Sequence, residues 1–168
     1  MKEQEPEASA SDAKPARWQQ SYYPAPLARF EAVLLVLSSL AILGFFAWIL
    51  VATEPDRRGH GTHEQLGMQP CAWPILYGEP CPTCGVTTSV SWLAHGRPDM
   101  SLWTQPFGFT LGLAALLWVL LSLRSLVRGE SLLFRVSQWP LLWITLGAGA
   151  IFLLGWGWVH WTWESPLR

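Results

Sequence analysis

The sequence predicts an all-α integral membrane protein: three transmembrane helices plus a short re-entrant or interfacial helix after a Cys-Pro-x-Cys-Gly turn. Three observations predict it. Of 168 residues, 51% are hydrophobic and 14% charged, against about a quarter charged in an ordinary soluble domain. Three apolar stretches have the length of a bilayer crossing. Twelve residues are tryptophan, and Trp139, Trp143, Trp156, Trp158, Trp161 and Trp163 flank the last stretch, as interfacial anchors do. The net charge of −1 gives no electrostatic case for nucleic acid; the expected partner is the lipid bilayer, with a membrane protein or a second copy as candidates.

Residues 1–30 are expected to form a disordered cytoplasmic tail. MKEQEPEASASDAKPARWQQ mixes Glu, Ala, Ser, Pro and Lys and has almost nothing to bury. Trp18, Tyr22 and Tyr23 then begin an interfacial approach. Residues 31–168 form a single membrane domain. Its first span, 32–53 (AVLLVLSSLAILGFFAWILVAT), has 22 residues and no charge, reaching roughly 33 Å as a helix. It begins late, its apolar run is long, and no small-x-small cleavage site follows, so a retained anchor is expected rather than a signal peptide.

The loop 54–105 divides into parts. Residues 54–65 (EPDRRGHGTHEQ) are polar and expected to be irregular. Residues 66–78 (LGMQPCAWPILYG) are apolar but broken by Pro70 and Pro74, too short to span, and suited to dip into the interface or pack on the bundle. Residues 85–95 (GVTTSVSWLAH) have helical periodicity, with Val86, Val90, Leu93 and Ala94 on one face and Thr88, Ser91 and His95 on another. Gly96 ends this helix, Arg97-Pro98-Asp99 makes a turn, and Met100–Gln105 leads into the second span.

The second span, 106–123, opens with Pro106, whose missing N–H costs nothing in a first turn, and stops at Arg124. Gly108 and Gly112 obey the small-xxx-small spacing of close helix packing; Gly147 and Ile151, at the same spacing, do not. The third span, 140–161, again opens with proline. Lys2, Lys14, Arg17, Arg29, Arg124, Arg128 and Arg135 fall on one side of a three-span topology, against Arg57, Arg58, Arg97 and Arg168 on the other. The positive-inside rule then places the N-terminus in the cytoplasm and the cysteine loop outside, in a bacterial inner membrane.

The chemistry lies in Cys71, Cys81 and Cys84, which are all the cysteines of the chain. Cys81-Pro82-Thr83-Cys84 stands at a helix start, where the dipole and free N–H groups lower a thiol pKa. Three readings follow. As a zinc knuckle, the pair plus Cys71 needs a fourth ligand. His60 and His63 can reach; His95, roughly 16 Å along a continuous helix from Cys84, cannot. As a structural disulfide in an oxidising compartment, Cys71 pairs with Cys81 or Cys84 and leaves one thiol over. As a dithiol, Cys81 attacks, Cys84 resolves and Cys71 shuttles, with a quinone as electron acceptor. A fourth possibility assigns the motif to turn and packing alone.

The stretch Pro70–Leu111 resembles the bacterial domain-of-unknown-function 2752 family. That pattern has an upstream Cys, a Gly shortly before Cys-Pro-x-Cys-Gly-x-Thr-Arg, a helix, a His-Gly or equivalent, and Asn-Pro opening the next span. Here these are Cys71, Gly78, Cys81-Pro82-Thr83-Cys84-Gly85-Val86-Thr87-Thr88, His95-Gly96 and Gln105-Pro106. Two positions depart: Thr88 replaces the Arg and Gln105 replaces the Asn, so a polar network those residues would build is altered. The resemblance implies a membrane class and makes the cysteine loop, with Gly85, Thr87, Thr88, His95, Gln105 and Pro106, its centre. It supplies no reaction.

No span centre carries an ionisable side chain, the usual sign of a transport path. No phosphate-binding Gly loop, His-Glu-x-x-His or nucleophile elbow is present. The sequence therefore points to a small accessory or scaffold membrane protein with a structural or metal-binding cysteine loop. The alternative is a membrane thiol–disulfide oxidoreductase using Cys81 and Cys84.

Overall fold

A computed structural model describes residues 25–163. The tail over 1–24, with Trp18, Tyr22 and Tyr23, lies outside the described residues, as does Arg168. The described chain is helical: α1 (Arg29–Ala52), a 3₁₀ turn (Thr62–Leu66), α2 (Ala72–Tyr77), α3 (Val86–Ala94), α4 (Pro98–Thr104), α5 (Pro106–Arg128), α6 (Leu132–Ser137) and α7 (Leu141–Thr162). No strand forms among the described residues; one isolated bridge joins Pro26 to Glu130.

α1, α5 and α7 are the three helices long and apolar enough to cross a membrane. Their bounds differ from the apolar runs. α5 passes Arg124 and continues to Arg128, because what ends it is Gly129 at φ +67, a left-handed C-cap, while long arginine stems tolerate the interface. α1 starts at Arg29, so Glu31 lies inside it. Glu31 is buried, its Oε1 accepting from Ser131 Oγ (3.1 Å) and Leu133 N (2.9 Å). With Leu27 N donating to Gly129 O (2.9 Å) and Ser131 N to Ala25 O (2.7 Å), this ties the start of α1 to the α5–α6 loop.

α5 is the hub. It packs against α1, α3, α4, α6 and α7. α3 lies against α1, α4 and α5, and its contact with Gly112 is six residues into α5, roughly 9 Å along the axis. The expected short helix after the cysteine turn is therefore present, packed on α1 and α5. Two details of the loop differ from expectation. Pro98 and Asp99 open a helix instead of making a turn, since proline suits a first helical position. The polar segment 54–65 is irregular up to Gly61 but then enters the 3₁₀ turn, and its ends are tied together: Glu54 N donates to Gln65 Oε1 and Gln65 Nε2 to Glu54 O, each at 2.8 Å.

The faces of α3 also sort differently from a soluble amphipathic helix. Thr88, Ser89 and Ser91 are buried together with Val90. Ser91 Oγ lies 2.9 Å from Thr53 Oγ1, and Ser89 Oγ reaches Ser101 O (2.9 Å) and Gln105 O (3.1 Å). In a bilayer the surroundings are as apolar as leucine, so small hydrogen-bonding residues turn inward. Large apolar side chains face out instead: Val51 is 87% exposed and Leu154 73%.

Candidate metal and thiol site

Two segments of the loop deliver the thiols. Cys71 is the N-cap of α2, whose Pro74 falls in the first turn, where an N–H is not needed. Cys81–Cys84 forms a tight turn ahead of α3. Cys84 N donates to Cys81 O (3.0 Å), Val86 N to Thr83 O (3.2 Å), and Cys81 N to Cys84 Sγ (3.2 Å). Gly85 follows as the N-cap at φ +85. A Cβ there would sit 2.7 Å from Gly59 O, so both conformation and space require glycine.

The three sulfurs lie within 4.8 Å of one another. Cys81 Sγ and Cys84 Sγ are 2.8 Å apart, and Thr83 Oγ1 is 3.6 Å from Cys81 Sγ. Their environments differ. Burial opposes the Cys81 thiolate, but hydrogen bonds from Cys84, Thr83 and Cys71 outweigh it and lower the Cys81 pKa below the ordinary thiol value. Burial, then the proton shared toward Cys81, pushes the Cys84 thiol far up. Cys81 is therefore the easier of the two thiols to deprotonate and Cys84 the harder.

A cavity of about 390 Å³ opens above the sulfurs, its walls including Arg58, His60, His63 and Glu64. Arg58 is already paired, 2.7 Å from Asp56 Oδ2 and 3.7 Å from Glu64 Oε2. His60 rests on the Trp163 ring at 4.5 Å and its Nδ1 lies 3.0 Å from Arg58 O; burial lowers its pKa. The structure thus brings His60 and His63 to the cavity wall but not into the sulfur cluster. His95 caps the end of α3, its Nδ1 2.8 Å from Ser91 O, outside the cavity's lining.

The remaining motif residues support the turn. Thr87 and Thr88 line the cavity. Gln105 is fully buried and caps α5, its Oε1 accepting from Phe107 N (2.8 Å), with Pro106 at the first helical position. Thr88 Oγ1 and Gln105 Nε2 are buried without a partner.

Sequence reasoning treated the outer tryptophans as anchors and missed their second task. Trp156 Nε1 donates to Pro80 O (3.2 Å), Trp158 Nε1 to Trp103 O (2.7 Å) and Trp163 Nε1 to Gly78 O (3.1 Å). The end of α7 is thereby pinned on both sides of the cysteine turn. The available signal was a run of indole donors beside a loop whose carbonyls no helix satisfies. Trp161, 79% exposed, is an anchor alone.

Residues 71–119 match the family model described as "Protein of unknown function (DUF2752)". No curated protein and no solved structure matches the chain.

Proposed function

From a chain whose residues 71–119 match the DUF2752 model, we propose a membrane scaffold whose loop holds one thiophilic ion, zinc by ligand preference, on Cys71, Cys81 and Cys84. The observation that carries this reading is the convergence of three sulfurs from two loop segments within 4.8 Å. Tetrahedral zinc at about 2.3 Å from each sulfur wants sulfurs about 3.8 Å apart, between the 2.8 Å and 4.8 Å seen. His60, His63 or a water at the cavity wall completes the shell. The ion displaces the proton that Cys84 retains, so affinity falls as pH falls. The positive-inside balance puts this loop outside a bacterial inner membrane and the N-terminus in the cytoplasm.

The test is metal analysis of the full chain purified anaerobically in reductant. About one zinc per chain is expected, falling to near zero in Cys81→Ser and Cys84→Ser. Metal-free wild-type protein would overturn the reading.

One observation favours a second reading. Cys81 is the more exposed thiol with a lowered pKa, while Cys84 is buried and raised. A dithiol oxidoreductase needs that split. The Cys81 thiolate attacks a substrate disulfide, expelling one thiolate. Cys84 then loses its proton and closes the Cys81–Cys84 bond, expelling the other, so the substrate leaves reduced with the two electrons; a membrane quinol restores the dithiol by giving two electrons and two protons to that bond and becomes the quinone. Alkylation against pH separates the cases: Cys81 should react below the ordinary thiol midpoint and Cys84 only far above it. A Cys84→Ser chain that traps no mixed disulfide in cells would remove this reading.

A further inference from the structure

A second cavity, of about 380 Å³, lies between α1, α3 and α5. Ala41, Ile42, Phe45 and Phe46 of α1, Val86 and Val90 of α3, and Leu111, Gly112 and Ala115 of α5 form its walls. Its lining is apolar and it opens between two spans. The cavity over the cysteines and this groove have one residue in common, Thr87. Thr87 of α3 therefore borders both the sulfur-lined chamber and the hydrocarbon-lined groove. Each has the size of a small-molecule site, roughly 300–1,000 Å³.

We propose that the two cavities form one site for a bilayer-soluble amphiphile, with its apolar chain in the α1–α3–α5 groove and a neutral polar head over Cys81. The head is neutral because the ion pairs at the chamber wall are already closed: Arg58 is held by Asp56 and Glu64. A buried hydroxyl also stands beside the chamber: Thr88 is among the residues that line it, is 1% exposed, and its Oγ1 has no partner within the chain. A buried hydroxyl left that way costs about 1–3 kcal/mol, which a ligand recovers. Entry from the bilayer also fits the groove walls. Ala41 and Leu111 stand exposed at its rim, where a chain can slide in without opening the bundle. The inference goes beyond the metal reading and stands on the two cavities alone.

The experiment compares two reagents on the full chain, reduced and stripped of metal, in phosphatidylcholine vesicles. One is a maleimide carrying a long alkyl chain, delivered from the bilayer. The other is a charged maleimide delivered from water. Ala41→Trp and Ala115→Trp fill the groove from opposite walls. Expected is a fall of ten-fold or more in Cys81 labelling by the alkyl reagent in both variants, with the aqueous rate within two-fold of wild type. No change with the alkyl reagent in both variants, or an equal fall with both reagents in both variants, would overturn the proposal. If one variant misfolds and loses both rates, the other decides. Zinc content is read on separate, unstripped samples, so failure of the metal reading cannot be mistaken for failure of this one.

Discussion

α5 and α7 are alike as sequences and unlike as structures. They have 23 and 22 residues and peak mean hydropathies of 2.0 and 1.7. α5 buries Gly108, Gly112, Ser122 and Ser125, residues spread along its length; α7 buries only Gly155 and Val159, both near its end. Within lipid, apolar area alone does not draw helices together, so packing follows small residues and hydrogen bonds. α5 has small residues facing α3, and α7 has indoles that reach the loop. The rest of α7 faces outward, with Trp143 72% and Leu142 68% exposed.

The sharpest way to break this contrast is to fill α5 where it is closest to α3. A Cβ on Gly108 would meet Ser89 Cβ at 3.0 Å and the Val86 backbone Cα at 3.1 Å. A Cα cannot swing aside as a side-chain tip can. Gly108→Val should destabilise the protein by about 3 kcal/mol, measured by unfolding in detergent, and should lower the metal content because α3 carries the cysteine turn. A loss below about 1 kcal/mol would mean that α3 is not seated on α5.

Next in size is the pin between α7 and the loop. Trp163→Phe removes the donor to Gly78 O and should cost about 1–2 kcal/mol, while Trp161→Phe should cost almost nothing. Equal effects would return Trp163 to the role of an anchor. Thr88→Val is expected to act with the opposite sign. It removes a hydroxyl that has no partner and should raise the stability of ligand-free protein by about 1 kcal/mol. Destabilisation there would mean that a water or ligand already satisfies Thr88.

What could be read in the sequence follows the same division. The spans, the cysteine turn and the helix behind Gly85 were legible because apolar length and a motif at a helix start are local signals. The exclusion of His95 was legible too, since 1.5 Å per residue fixes its distance along the helix. The meeting of Cys71 with Cys81 and Cys84 depends on how Pro74, Gly78 and Gly85 fold the loop back, which no periodicity encodes. Which face of α3 turns inward was not legible, because periodicity separates Thr88 and Ser91 from Val86 and Leu93 without saying which side the neighbouring helices cover. The orphaned atoms of Thr88 and Gln105 had no local signal, since their burial required the packed helices.

The smallest effect is the one that tests the open face of α7. Gly147 and Gly149 have nothing within 4 Å of where a Cβ would stand. Glycine is poor inside a helix, so Gly149→Ala should stabilise α7 by a few tenths of a kcal/mol, at most about 1, in detergent-solubilised monomer. The same change on α5, Gly112→Ala, would bring a methyl 2.6 Å from Leu93 Cδ2; that flexible tip can shift, so a loss of about 1 kcal/mol is expected. The sign therefore separates a packed glycine from an open one. Vesicles extend the test. If Gly149→Ala stabilises in detergent but destabilises in a bilayer, another helix covers that face in the membrane, and the two spans differ only in where their partners come from.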